Sequence, residues 1–366
     1  MRWYDLNGNE THPAAALVRQ LCLALLLLTL LTALLPKSHA AQLRPGAGRD
    51  PALPAELVPL GHTLGIKLFS SGVMVVGLSD IDSSEGDRSP AAQAGLKTGD
   101  VITCIDAVPV SSIDEVTALL DTADGSPLTV LARRDGRERQ FTVTPAYDTA
   151  EEAYRLGAWI RDSMGGIGTA TYYDPATGAF GALGHGVTDV DTMLLMPISS
   201  GAVMYATVTG VSQGAAGSPG QLHGVFDVTA EVGTLTANTD GGIFGTLSCP
   251  ALTDDAPAVP VAGPGEVSTG PAVILSNITG DRVEEFDVEL TRIFPSGCAA
   301  DGRDYLLTVT DPRLLETTGG IVQGMSGSPI LQDGRLVGAV THVLISDPTR
   351  GYGISMEHML QAAQSV

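Results

Sequence analysis

The chain has 366 residues, 44% of them hydrophobic, a formal net charge of -21, and 44 glycines against only 5% aromatics. That length and apolar content exclude a disordered tail and allow about two domains. The glycines favour many short strands joined by tight turns, and the lack of any Lys and Arg cluster excludes a nucleic-acid partner.

Residues 21–35 read LCLALLLLTLLTALL, an uncharged run between Arg19 and Pro36-Lys37. At about 1.5 Å per residue it is short for a bilayer core of roughly 30 Å, and Ser38-His39-Ala40 resembles a small-x-small cleavage site. Residues 1–41 are therefore expected to be a signal peptide or signal anchor that places the rest of the chain outside the cytoplasm. Residues 42–57, with Pro45, Gly46, Gly48, Pro51 and Pro54, have linker composition.

Residues 58–147 carry the pattern of a small α+β domain. Gly65-Ile66-Lys67-Leu68 and Val73-Met74-Val75-Val76 read as strands, Ser89-Pro90 starts a short helix and Gly95 ends it. The turn Lys97-Thr98-Gly99-Asp100 leads into a strand over 101–105, residues 113–120 have helical spacing, and a hairpin turns at Asp135-Gly136. The run SPAAQAGLKTGDVITCID resembles the core of a bacterial PDZ domain. The resemblance implies that an extended peptide or protein tail adds as a strand, in a groove whose binding loop matches Leu64, Gly65 and Ile66. Residues 149–161 are expected to form an amphipathic bridging helix with Tyr154, Ala158 and Trp159 on its apolar side.

The remainder, residues 148–366, is glycine-rich and β-like. Near its end lies Gly324-Met325-Ser326-Gly327-Ser328-Pro329, followed by a hairpin turning at Asp333-Gly334. A nucleophilic serine needs a tight, glycine-flanked turn that projects its hydroxyl while neighbouring N–H groups face the developing oxyanion. Ser326 is the expected nucleophile, with the amides of Gly324 and Ser326 as the oxyanion hole. Read as sequence alone, the same turn also serves as plain hairpin punctuation. The G-x-S-G-x-P pattern resembles the nucleophile motif of chymotrypsin-like peptidases, which implies a β-barrel catalytic domain.

A base must come from elsewhere. His185, in Gly184-His185-Gly186 at the end of a strand, has glycines on both sides and room to approach a hydroxyl. His223 and His342 compete, whereas His62 belongs to the PDZ-like domain and His358 to a C-terminal helix. For the carboxylate that orients the imidazole, Asp311 before Pro312 is the first choice, and Asp189, Asp191, Asp227 and Asp304 remain open. No motif supports a metal, nucleotide or flavin cofactor, and the four cysteines form no C-x-x-C pair. Cys249 and Cys298 are the two that could pair in an exported domain.

Together, G-H-G around His185, T-D-P at Asp311, TGGIVQGMSGSPI around Ser326 and A-V-T-H-V onward resemble the stage IV sporulation protein B (SpoIVB) serine peptidases. The resemblance implies a triad of His185, Asp311 and Ser326 and a location at the forespore membrane, facing the space between forespore and mother cell. It also implies cleavage of a membrane-bound regulator of an intramembrane metalloprotease, which in turn processes a sigma-factor precursor, together with self-cleavage near the N-terminus. An envelope quality-control protease and a non-catalytic PDZ-bearing adaptor are the alternatives. In the first of these the peptidase normally precedes the PDZ domain.

Overall fold

The computed structural model describes residues 54–365 apart from 84–85, 87, 250–251, 254–255, 264 and 295–301. The expected signal segment, most of the expected linker and Cys298 lie outside the described residues, and with Cys298 so does its pairing with Cys249. The chain enters through β1 (Glu56–Pro59) and the long β2 (Thr63–Leu78). It continues through α1 (Pro90–Gln93), β3 (Val101–Ile105), β4 (Val108–Pro109), α2 (Ile113–Asp121), β5 (Leu128–Arg134) and β6 (Arg137–Val143). A small hairpin, β7 (Ala146–Asp148) and β8 (Ala153–Arg155), leads into a second long strand, β9 (Ala158–Tyr173).

The pair β2 and β9 organises the molecule. Residues 63–69 of β2 pair with 163–169 of β9, and after a break in register Met74 pairs with Arg161 and Leu78 with Ala158. On its other side β2 changes partner. Residues 64–70 pair with β11 (Ile198–Ser212), whereas Val73 and Met74 pair with β3. Residues 63–69 of β2 and 163–169 of β9 belong to a barrel, and residues 74–78 and 158–161 belong to the PDZ-like sheet.

With β10 (Ala179–Ala182), β12 (Gln221–Thr239) and β13 (Gly242–Leu247), this barrel runs in the spatial order β2, β9, β10, β13, β12, β11 and closes back on β2. A two-residue strand, β14 (Val259–Pro260), pairs with β1. The second barrel, β15 (Gly270–Thr279), β16 (Arg282–Ile293), β17 (Tyr305–Val309), β18 (Pro329–Gln332), β19 (Arg335–Leu344) and β20 (Asp347–Ser355), runs β15, β16, β17, β20, β19, β18. In both barrels the strands therefore lie in the order first, second, third, sixth, fifth, fourth. The helices α3 (Pro312–Thr318) and α4 (Met356–Gln364) complete the chain.

Each barrel and the insert has its own apolar core. Leu64, Ile66, Phe180, Val203 and Ile243 fill the first barrel, and Ile274, Phe286, Leu307, Ile330 and Val340 fill the second. Val73, Ile102, Val116, Leu120 and Val130 fill the PDZ-like insert. Burying such side chains is worth about 1.5–3 kcal/mol each, which is the force that closes each sheet.

Two expectations are corrected and one is refined. The PDZ-like domain precedes most of the catalytic domain, as expected, and it is inserted within the first hairpin of the first barrel, between the paired segments 63–69 and 163–169. Residues 149–161 form β8 and the start of β9 rather than a helix, because sheet pairing on β2 overrides a helical spacing that only a few apolar residues supported. Leu64, Gly65 and Ile66 form no peptide-binding loop. They are interior barrel residues flanked by β9 and β11, so no backbone edge is left for a peptide to join.

Candidate active site

His185 follows β10 through Leu183 and Gly184, both at positive φ, so the chain leaves the strand in a sharp left-handed turn. Its Nδ1–H donates to the Gly186 carbonyl at 2.9 Å, which leaves Nε2 as the acceptor a general base needs. Burial pushes the imidazole below its ordinary value, with the Gly186 carbonyl opposing that shift. The ring of His342, from β19 of the second barrel, lies 5.1 Å away centre to centre.

Ser326 sits in the turn between α3 and β18. Gly327 has a φ of +99°, and a side chain there would collide with the Thr169 carbonyl and the Leu183 amide, so only glycine lets the turn press against β9. The Ser326 carbonyl accepts from the Thr169 N–H at 2.9 Å, and the Gly327 N–H donates to the Val340 carbonyl at 2.7 Å. Thr171 Oγ1 donates to the Gly327 carbonyl at 2.8 Å. By contrast the N–H groups of Gly324 and Ser326 donate to no carbonyl among the described residues, as the expected oxyanion hole requires.

The Ser326 hydroxyl donates to the Thr341 carbonyl at 2.7 Å. Thr341 precedes His342, and a side chain at Gly184 would touch the Thr341 methyl. Ser326 and His185 thus come from different barrels and reach adjacent residues of β19, Ser326 at Thr341 and His185 at His342.

The structure does not bring Asp311 to His185. Its carboxylate caps α3, accepting from the Arg313 N–H at 2.8 Å and from the Arg313 guanidinium at 2.8 Å, and it also accepts from the Asp287 N–H. The guanidinium hydrogen bond holds its carboxyl at about 2, and its lone pairs are committed to the helix end. The other carboxylates are also engaged elsewhere. Asp189 and Asp191 grip Arg161, Asp227 holds Thr229, and Asp304 holds His358 Nδ1 at 2.8 Å. His223 is bonded to Ser212. In this arrangement the Gly186 carbonyl, not a carboxylate, orients His185.

Sequence reasoning missed two positioning groups. Asn238 accepts from the Val187 N–H and donates to the Val187 and Met196 carbonyls, holding both ends of the loop that follows His185. Thr169 joins β9 to the nucleophile turn. Neither residue type carries a signal that separates it from ordinary strand residues.

An unpaired strand edge lies on the insert. Residues 158–161 of β9 pair with β2 on one side only, and α2 flanks the other side, where the Ile113 N–H donates to Asp162 at 2.9 Å. Ala158 and Ile160 share an apolar cluster with Val116, Leu119 and Leu120 of α2. At the start of this edge Gly157 has a φ of +69°, with its carbonyl held by the Ser79 N–H. A side chain at Gly157 would meet the Ser79 carbonyl and Pro90, so the tight turn into the edge strand requires glycine. An open strand edge beside a helix can accept an added strand, and Leu156-Gly157-Ala158 stands where Leu64-Gly65-Ile66 was expected to act.

The SpoIVB peptidase S55 family model matches residues 152–360, and a PDZ domain model matches residues 81–134. The chain belongs to the SpoIVB peptidase S55 family. Among curated proteins it is 31% identical over 148 residues to zinc metalloprotease Rip1 of Mycobacterium tuberculosis, covering 40% of this chain and 28% of that one. It is 35% identical over 130 residues to magnetosome formation protease MamE of Paramagnetospirillum magneticum, covering 33% and 17%. The chain therefore spans less than a third of the length of these relatives. Among solved structures it is similar to the active form of the Rv3671c protease of M. tuberculosis, with 16% identity and a TM-score of 0.31 over 55% of this chain and 74% of that one. The HtrA-type protease AlgW with decapeptide gives 13% identity and a TM-score of 0.33 over 56% and 53%.

Proposed function

We propose that this S55-family chain is a sporulation signalling serine endopeptidase. Its substrate is a membrane-bound regulator of an intramembrane metalloprotease, cut in the space between forespore and mother cell, and it also cuts its own N-terminal region. The observation that carries the peptidase part is the convergence of Ser326, two open amides and an imidazole with a free Nε2 at the junction of two barrels.

In the reaction, Ser326 Oγ attacks the scissile carbonyl while His185 Nε2 takes its proton. The Gly324 and Ser326 N–H groups receive the oxyanion, and His185 returns the proton to the leaving amine. Water then repeats the sequence on the acyl-enzyme. The sporulation reading is supported by family membership and by the coexistence of a peptide groove and a peptidase site on one strand. In the test, Ser326→Ala loses self-processing and labelling by a fluorophosphonate probe while keeping its fold by circular dichroism. Self-processing that persists in this variant would overturn the peptidase reading.

A further inference from the structure

Thr169 is buried in β9 and reaches the nucleophile turn at two points. Its N–H donates to the Ser326 carbonyl at 2.9 Å and its Oγ1 donates to the Gly324 carbonyl at 2.7 Å. Its own carbonyl accepts from the Leu183 N–H, two residues before His185, at 3.2 Å. One residue thus holds both sides of the Gly324-Met325-Ser326 segment and the strand end that delivers the base.

The two carbonyls Thr169 grips bracket the segment that carries the oxyanion amides. The Gly324 carbonyl faces Thr169, and the next peptide, between Met325 and Ser326, supplies the Ser326 N–H. Rotation of the Gly324-Met325 peptide would swing its carbonyl out of register and disturb the amides on either side. A glycine imposes little intrinsic preference against such a rotation. The N–H end of that peptide donates to the Val322 carbonyl at 3.1 Å, and its carbonyl end is held by the Thr169 hydroxyl.

We infer that Thr169 is a positioning residue for the oxyanion hole: its hydroxyl locks the Gly324 carbonyl and thereby keeps the Gly324 and Ser326 amides aimed at the developing charge. This rests on the peptidase reading above. It assigns a requirement for catalysis to the first barrel's β9, outside the Ser326 motif.

The test uses the full chain and a fluorophosphonate probe, whose attachment at Ser326 also develops negative charge on oxygen. Thr169→Val keeps the shape and the backbone bond but removes the hydroxyl, and Thr169→Ser restores it. Tyr305→Phe serves as a control for stability, because Tyr305 is also buried and its hydroxyl donates to the Val337 carbonyl at 3.2 Å, on a strand that pairs with β16 and β20 rather than with β9. Removing one oxyanion-hole donor costs roughly 100–1,000-fold in rate, so loss of its alignment is expected to slow labelling about 10–100-fold. With p-nitrophenyl acetate, the loss should fall on the acylation rate and leave KM within about threefold.

Thr169→Ser should recover to within a few-fold of wild type, and Tyr305→Phe should label at the wild-type rate despite a lower denaturation midpoint. Equal slowing in Thr169→Val and Tyr305→Phe, or no slowing in Thr169→Val, would overturn the inference. Wild type that fails to label would instead overturn the peptidase reading beneath it.

Discussion

The two barrels share one strand order and differ in their first hairpin. In the second barrel β15 returns to β16 through a tight turn, with Thr279 paired to Arg282. In the first, the same step from β2 to β9 carries the whole PDZ-like insert. The insertion falls on the hairpin whose return strand supports the nucleophile turn of the opposite barrel. The difference shows how a PDZ-like module is built into a catalytic barrel: one continuous strand is an edge of the PDZ-like sheet at residues 158–161 and the support of Ser326 at Thr169.

The largest expected effect comes from removing that difference. Replacing residues 70–162 by an Asn-Gly turn makes the first barrel's hairpin like the second's. Pull-down of a C-terminal peptide library by the variant should fall to background, while fluorophosphonate labelling stays within about tenfold of wild type. Complete loss of labelling in a folded variant would mean that the insert, and not only β9, holds the catalytic geometry.

A smaller effect is expected at Asp311. Asp311→Asn should lower stability by about 1–2 kcal/mol in urea denaturation, as loss of a helix cap and its partner does, and change labelling by less than about threefold. A loss of a hundredfold or more in a folded protein would restore Asp311 to the catalytic group. Its linkage follows from a carboxyl lowered from 3.8 to about 2. That stabilisation is fully present above 3.8 and disappears as pH falls toward about 2, so the wild-type advantage over Asp311→Asn should vanish there.

The smallest effect is a shift in pH. Burial lowers the His185 imidazole from 6.5, so the base stays neutral into mildly acid solution. The acidic limb of the labelling rate should therefore lie below pH 6.5. A limb above 6.5 would point to a carboxylate partner on Nδ1 in place of the Gly186 carbonyl.

Much of the site was legible because its constraints are local. Gly324 and Gly327 around Ser326, and Gly184 and Gly186 around His185, report tight turns in any fold, and the short run from Ser89-Pro90 to Gly95 marks the PDZ domain. What was illegible depends on strand pairing far along the chain. Leu-Gly occurs at both Leu64-Gly65 and Leu156-Gly157, and only the neighbours of each strand decide which one borders a groove. Asp311-Pro312 carried a local signal that fits its observed place, since an acidic N-cap followed by proline is a helix start.

The shared strand also sets an order of assembly. Residues 63–69 are made early, and their partners at 163–169 follow only after roughly ninety further residues, a loop whose closure costs about 3 kcal/mol more than a three-residue turn. When the insert folds, its own pairing of Met74 with Arg161 brings the two halves side by side before the barrel closes. The PDZ-like insert is thereby a clasp for the catalytic barrel as it emerges, setting β2 against β9 well before the nucleophile turn has been made.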